Sequence, residues 1–286
     1  MSATLHDPLV GLPAQGAVMA QARTENFPVA ARILGARTRT HLLAIYGFAR
    51  LVDDTGDEAS GSRAVLLDAI DEQLSDIYNG RTPAHPILRD LRTAIAQCRL
   101  PEEPFRRLLE ANRLDQVKHR YQSYEELLDY CRLSAAPVGE LVLHVFGAAT
   151  PERIELSGRI CAALQVIEHL QDVREDYLRG RVYLPLQDLA QFGCEEAQLA
   201  ERSAAPQLRA VVQELSRRSA ELLDAGMPLV AGLHGRARVA VAAYVAGGRA
   251  TLAALRGAGY DVLAHRPRRT RAGFATAFVR AIGGRA

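Results

Sequence analysis

HLLAIYGFARLVDDTGDE, residues 41–58, combines an apolar repeat with a pair of acids. Leu42, Leu43, Ile45, Phe48, Leu51 and Val52 recur at helical rather than strand spacing. Asp53 and Asp57 stand four apart, so a helix places them on one face, and Arg50 and Tyr46 carry that face backward. CAALQVIEHLQDVREDYLRGR, residues 161–181, repeats the arrangement. There Asp172 and Asp176 are four apart, and Gln165, Glu168 and His169 extend the stripe toward the N-terminus.

Acids four apart are ordinarily a wet helix surface, at a small repulsive cost. Two such stripes inside strongly apolar helices point instead to a compensating cation, because buried carboxylates are otherwise expensive. Magnesium takes oxygen ligands and keeps waters, binding through a few carboxylates plus substrate phosphates. Two Asp-x-x-x-Asp pairs around one cavity could hold magnesium about a diphosphate and neutralise it as a leaving group. His169 reads equally as a packed helical histidine, and Tyr130 in YCRLSAAPVGELVLHVFG (130–147) equally as a core tyrosine. Pro137 and Gly139 in that run predict a kink against a ligand cavity.

Outward from these stretches, helical periodicity continues almost everywhere and strand signals are scarce. Helices are predicted at 37–57, 62–79, 84–98, 102–118, 123–147, 151–178, 205–225 and 235–258, with breaks at Gly80–Pro83, Leu100-Pro101, Thr150-Pro151 and Gly180. Residues 179–193 depart from the pattern, and Pro185 there suggests an extended connection or a short helical turn. The chain has 286 residues, 48% of them hydrophobic, which is ample for a core. A net charge of +2 gives no argument for nucleic acid as a partner. Cys98, Cys131, Cys161 and Cys194 form no CxxC pair, so reduced thiols and a cytoplasmic location are expected. No apolar run reaches the roughly 18 residues of a membrane span. Nucleotide-binding loops and the G-x-S-x-G elbow do not occur in the sequence. Residues 1–22 lack a secretory pattern and read as a flexible lead. Residues 265–286 read as a basic tail, solvated or weakly attracted to anionic lipid.

Taken with ENFPVA (25–30), SAAPVGE (134–140), the run through VYLP (182–185) and AGYDVL (258–263), the two stripes resemble the squalene and phytoene synthase family. The likeness covers roughly residues 24–264, and both order and spacing match. ENFPVA and SAAPVG resemble its hydroxysqualene synthase subgroup, from bacterial hopanoid pathways. The resemblance implies an all-α, single-domain prenyl synthase bundle over residues 23–264 with a central cavity. It implies magnesium held by Asp53, Asp57, Asp172 and Asp176, with Glu168 as a further ligand. It places Tyr46 and Arg50 on the diphosphate, and Tyr130, Gln165 and Tyr244 beside the reacting carbons. Asn26 and Phe27 belong to a loop over the entrance, and His169 or Tyr130 would orient a water.

The chain departs from the family at Glu168, often Asn, and at Gln171, often Arg. The second departure removes a fixed cation beside the diphosphate and argues against condensing two prenyl diphosphates. The implied reaction is ionisation and rearrangement of presqualene diphosphate with water capture, giving hydroxysqualene without NADPH. The alternatives are head-to-head condensation to presqualene diphosphate, squalene or phytoene, and a non-catalytic prenyl-binding protein. Greasy substrates also imply peripheral membrane association.

Overall fold

Capping chemistry punctuates the helices. Ser123, Thr150 and Thr270 accept hydrogen bonds from the backbone N–H of Glu126, Arg153 and Gly273, which helix starts leave without intrahelical partners. Pro86, Pro104, Pro151 and Pro206 stand in first turns, where a missing N–H costs nothing. The computed structural model describes residues 11–21, 34–264 and 266–283, and these are all-α apart from one isolated bridge between Arg120 and Val182.

The helices gather into two compact units. The first, residues 1–117 and 141–147, holds α1 (Gln15–Ala20), α2 (Ala36–Asp57), α3 (Arg63–Tyr78), α4 (Pro86–Cys98) and α5 (Glu103–Leu114). Its core is the apolar side of α2 against α3, α4 and α5. Leu42, Ile45, Leu51 and Val52 are buried there, and Phe48 meets Phe105 edge-on at 5.0 Å. Within the stretch expected to be a flexible lead, Val18 of α1 is fully buried.

The second unit, residues 118–140 and 148–286, holds α6 (Tyr124–Ser134), the start of α7 (Ala136–Val145), α8 (Pro151–Leu178), α9 (Leu186–Gln191), a 3-10 turn (Glu196–Ala200), α10 (Pro206–Gly232), α11 (Gly235–Gly257) and α12 (Arg271–Ile282). Leu170 and Val173 of α8, Leu208, Val211 and Leu215 of α10 and Leu255 of α11 form its core with Val182, Leu184 and Leu199.

The run expected as one helix over 123–147 breaks at Ala135, and Pro137 lies in the first turn of a new helix instead of kinking an old one. Gly139 serves helix packing. A Cβ there would stand 2.3 Å from Ser157 Oγ and 2.5 Å from Cys161 Sγ, so its absence lets α7 lie close on α8. The helix expected to end at 225 continues through Pro228 to Gly232, where burial of Leu229 and Val230 offsets the lost hydrogen bond. A turn at Arg179 and Gly180 closes α8, residues 181–185 then run as a non-helical connection with Val182 N–H donating to His119 O at 2.9 Å, and α9 follows. Among the described residues no helix is long and apolar enough to cross a membrane.

Candidate active site

The last turns of α2 carry the first acidic pair. Asp53 is exposed and Asp57 is partly exposed, while Asp54 between them is buried at 5%. Arg50, expected to reach a diphosphate, has its Nε 2.7 Å from Asp54 Oδ1 and neutralises that buried acid. Tyr46 is buried one turn earlier, at 8%.

Asn112 of α5, which sequence reasoning missed, donates from Nδ2 to Asp53 Oδ1 at 3.0 Å and to Leu108 O at 3.2 Å. Gly56 makes that approach possible, because a Cβ at position 56 would stand 2.3 Å from Asn112 Oδ1. Gln116 ties the two together by donating to Gly56 O and Asn112 O, both at 3.0 Å. Crowding by protein, then the charges of Asp57 and Asp115, push the Asp53 carboxyl up to about 7 against the opposing pull of Asn112 and Arg50. The side of Asp53 open to solvent moderates that shift.

The second pair lies on α8 within the other unit. Asp172 and Asp176 side chains are each 18% exposed, and Glu168 one turn back is exposed. Burial, then the negative charges of Glu168, Asp176 and Glu175, raise the Asp172 carboxyl to about 7 against Arg266. His169 is buried and stacked on Tyr183, with ring centroids 3.8 Å apart and planes 12° off parallel. Its Nδ1 lies 3.8 Å from Asp176 Oδ2, and its Nε2 lies 3.4 Å from Gln165 Nε2. Tyr130 stands 5.6 Å from Tyr183 and 5.3 Å from Tyr121, so four rings form one wall. Tyr183 and Tyr121 were not singled out in the sequence, although VYLP belongs to the motif that contains Tyr183. A void of about 10 Å³ lined by His169, Asp176, Arg181 and Tyr183 has room for about one water. On α11 the Tyr244 hydroxyl is buried, and burial, with Cys161 nearby, pushes its phenol up. Asn26 and Phe27 lie outside the described residues.

Gln171 supplies no charge to its stripe, but an arginine from elsewhere in the chain lies over it. Arg266 Nη2 stands 2.7 and 2.8 Å from the two oxygens of Asp172, and Gln171 Nε2 donates to Pro267 O at 2.6 Å. The charge comes from a segment about 95 residues away in sequence, so no local motif reveals it.

Among the described residues no three His, Cys, Asp or Glu side chains group closely enough to hold a metal by themselves. The acids present are oxygen donors in pairs, crowded enough that Asp53 and Asp172 are both raised. Such a donor set fits a hard divalent cation that completes its shell with water and phosphate oxygens.

A family model described as squalene/phytoene synthase matches residues 20–273, a span that runs through both units. The chain belongs to the squalene/phytoene synthase family. A hydroxysqualene synthase from Rhodopseudomonas palustris is 38% identical over 210 residues, 73% of this chain and 71% of the relative. The crystal structure of squalene synthase HpnC from Alicyclobacillus acidocaldarius matches with a TM-score of 0.78 at 40% identity, covering 89% of this chain and 99% of that one. A dehydrosqualene synthase crystallised with a ligand shares the fold, with a TM-score of 0.84 at 23% identity over 94% of this chain and 95% of that one. Members of the family are enzymes, and the described helices have the fold of these synthases.

Proposed function

We propose that this chain is a magnesium-dependent hydroxysqualene synthase that ionises presqualene diphosphate and lets water capture the rearranged cation. The observation that carries the reading is the likeness to a hydroxysqualene synthase at 38% identity across most of both chains. The raised carboxyls of Asp53 and Asp172 agree with it.

Asp53 and Asp57, and Asp172 and Asp176 with Glu168, are the residues proposed to hold magnesium at one and the same diphosphate. The metal supplies positive charge to a leaving diphosphate as its bond to carbon lengthens. Asn112 keeps one oxygen of Asp53 occupied. Tyr46, Arg50 and Tyr244 complete the binding set, and Asn26 and Phe27 are proposed to close the entrance. The rings of Tyr130, Tyr183 and Tyr121 form an apolar wall that shields a cation from premature quenching. His169, held by Tyr183 on one ring face, orients the water that adds, and the small void beside it suits one solvent molecule.

Head-to-head condensation is the second reading, and Arg266 specifically favours it, because the stripe around Asp172 does carry an arginine. The two readings separate on product. Purified protein supplied with presqualene diphosphate in ¹⁸O-water, without NADPH, should give hydroxysqualene carrying the label. Strictly NADPH-dependent squalene, or product from farnesyl diphosphate alone, would overturn the first reading and leave the family membership standing.

The basic C-terminal segment is proposed to support peripheral, salt-sensitive attachment to anionic membrane from a cytoplasmic location. Arg271 and Arg280 of α12 are exposed, as is 70% of Val279.

A further inference from the structure

The segment after α11 is a strap pinned at three places. At its base the Asp261 carboxylate accepts hydrogen bonds from Ser203 Oγ at 2.6 Å, Ala204 N at 2.8 Å and Ala264 N at 3.0 Å, and pairs with Arg209 at 2.7 Å. In the middle, Pro267 O takes the hydrogen bond from Gln171 while Arg266 covers both oxygens of Asp172. At its far end Arg269 lies against α11, where a Cβ on Gly247 would be 2.7 Å from its Nη1, and stacks over the Phe274 ring at 5.4 Å. Thr270 then caps α12.

We propose that Gln171 is a positioning residue that ties this strap to α8, so that Arg266 sits on Asp172 and must be exchanged for a divalent cation before the site is loaded. The proposal rests on the reading of Asp172 as a metal ligand. The chemistry of the two positions supports it. A glutamine at 171 can donate to a backbone carbonyl without adding charge to the stripe. The positive charge over Asp172 is thereby supplied by a segment outside α8. Arg266 is 43% exposed, so its guanidinium can leave Asp172 for solvent, and a divalent ion compensates that largely buried carboxylate with twice the charge. A monovalent partner held over Asp172 also keeps its buried carboxylate from standing uncompensated before metal arrives.

The test uses the full chain and Mn²⁺ alone, without substrate, read by calorimetry and by hydrogen exchange of residues 262–272. Arg266→Gln should bind Mn²⁺ about two- to fivefold more tightly, the range expected for losing a weak competing pair. Gln171→Ala keeps every charge and should shift affinity in the same direction by less, which a charge effect alone does not produce. In the unmodified chain Mn²⁺ should speed exchange across the strap. Asp172→Asn separates the two layers of the argument. If it abolishes Mn²⁺ binding while Arg266→Gln and Gln171→Ala bind as the unmodified chain does, the strap proposal fails alone. If Asp172→Asn binds Mn²⁺ unchanged, the metal reading fails and the strap proposal with it.

Discussion

Asp53 has one oxygen held by Asn112 and a side open to solvent, and that orientation depends on the bare α-carbon of Gly56. Gly56→Ala adds a methyl that Asn112 must move away from, while gaining about 1 kcal/mol of helix propensity. Stability should therefore change by no more than about 1 kcal/mol in urea unfolding, while kcat/KM falls roughly 10- to 100-fold because the carboxylate is misplaced. Unchanged kcat/KM would show that Asn112 does not matter to Asp53. The same residue scale sets the pH dependence. Asp53 and Asp172 are raised from ordinary values to about 7, so the folded protein holds their protons more tightly than the unfolded chain does. Without metal, these two groups cost no stability at low pH and an increasing amount as pH rises from about 4 to about 7. On the proposed magnesium reading the metal displaces those protons, so the magnesium concentration for half-maximal activity should fall between pH 6 and pH 8. A requirement independent of pH over that range would contradict the shifts. The Asp pairs were legible in the sequence because four-residue spacing is local. Asn112, Tyr183 and Arg266 were not, because each reaches its partner across a fold the sequence pattern does not encode.

At the scale of elements, long periodic helices such as α2, α8 and α11 were legible to within a residue or so. The break at Ala135 shows in the sequence only as a kink signal, since an uninterrupted apolar run masks a boundary between two helices. α12 was read as part of a basic tail, because only Ala277 and Ala281 of its residues are buried and the arginines dominate its pattern. In the strap between α11 and α12, Asp261 of AGYDVL gathers hydrogen bonds from Ser203, Ala204 and Ala264 and an ion pair with Arg209. Burial pushes the Asp261 carboxyl up, but its hydrogen bonds and Arg209 outweigh that and hold it at about 2. Its contribution is therefore present above about pH 4 and lost as pH falls toward 2. Asp261→Ala leaves Ala204 N–H and Ala264 N–H without their acceptor, and should cost about 1–3 kcal/mol at pH 7 by denaturant unfolding. A loss below about 0.5 kcal/mol would mean that water replaces the carboxylate freely.

At the scale of the whole molecule, an enzyme for greasy diphosphates has described helices of which none spans a bilayer. If α12 and the basic residues around it meet anionic lipid, protein lacking residues 265–286 should partition less onto anionic vesicles than the full chain. The difference should shrink at high salt, because exposed charges are screened. Equal partitioning would remove this segment from membrane attachment. Carboxylates from both acidic pairs are proposed to assist one ionisation. Single-turnover release of diphosphate from presqualene diphosphate tests it most directly, comparing the unmodified chain with Asp53→Asn and Asp172→Asn at matched helical circular dichroism. Either substitution should slow release by roughly 10²-fold or more, and chelating divalent ions should stop it in all three. Release at an unaltered rate in either variant, or in the presence of chelator, would contradict it.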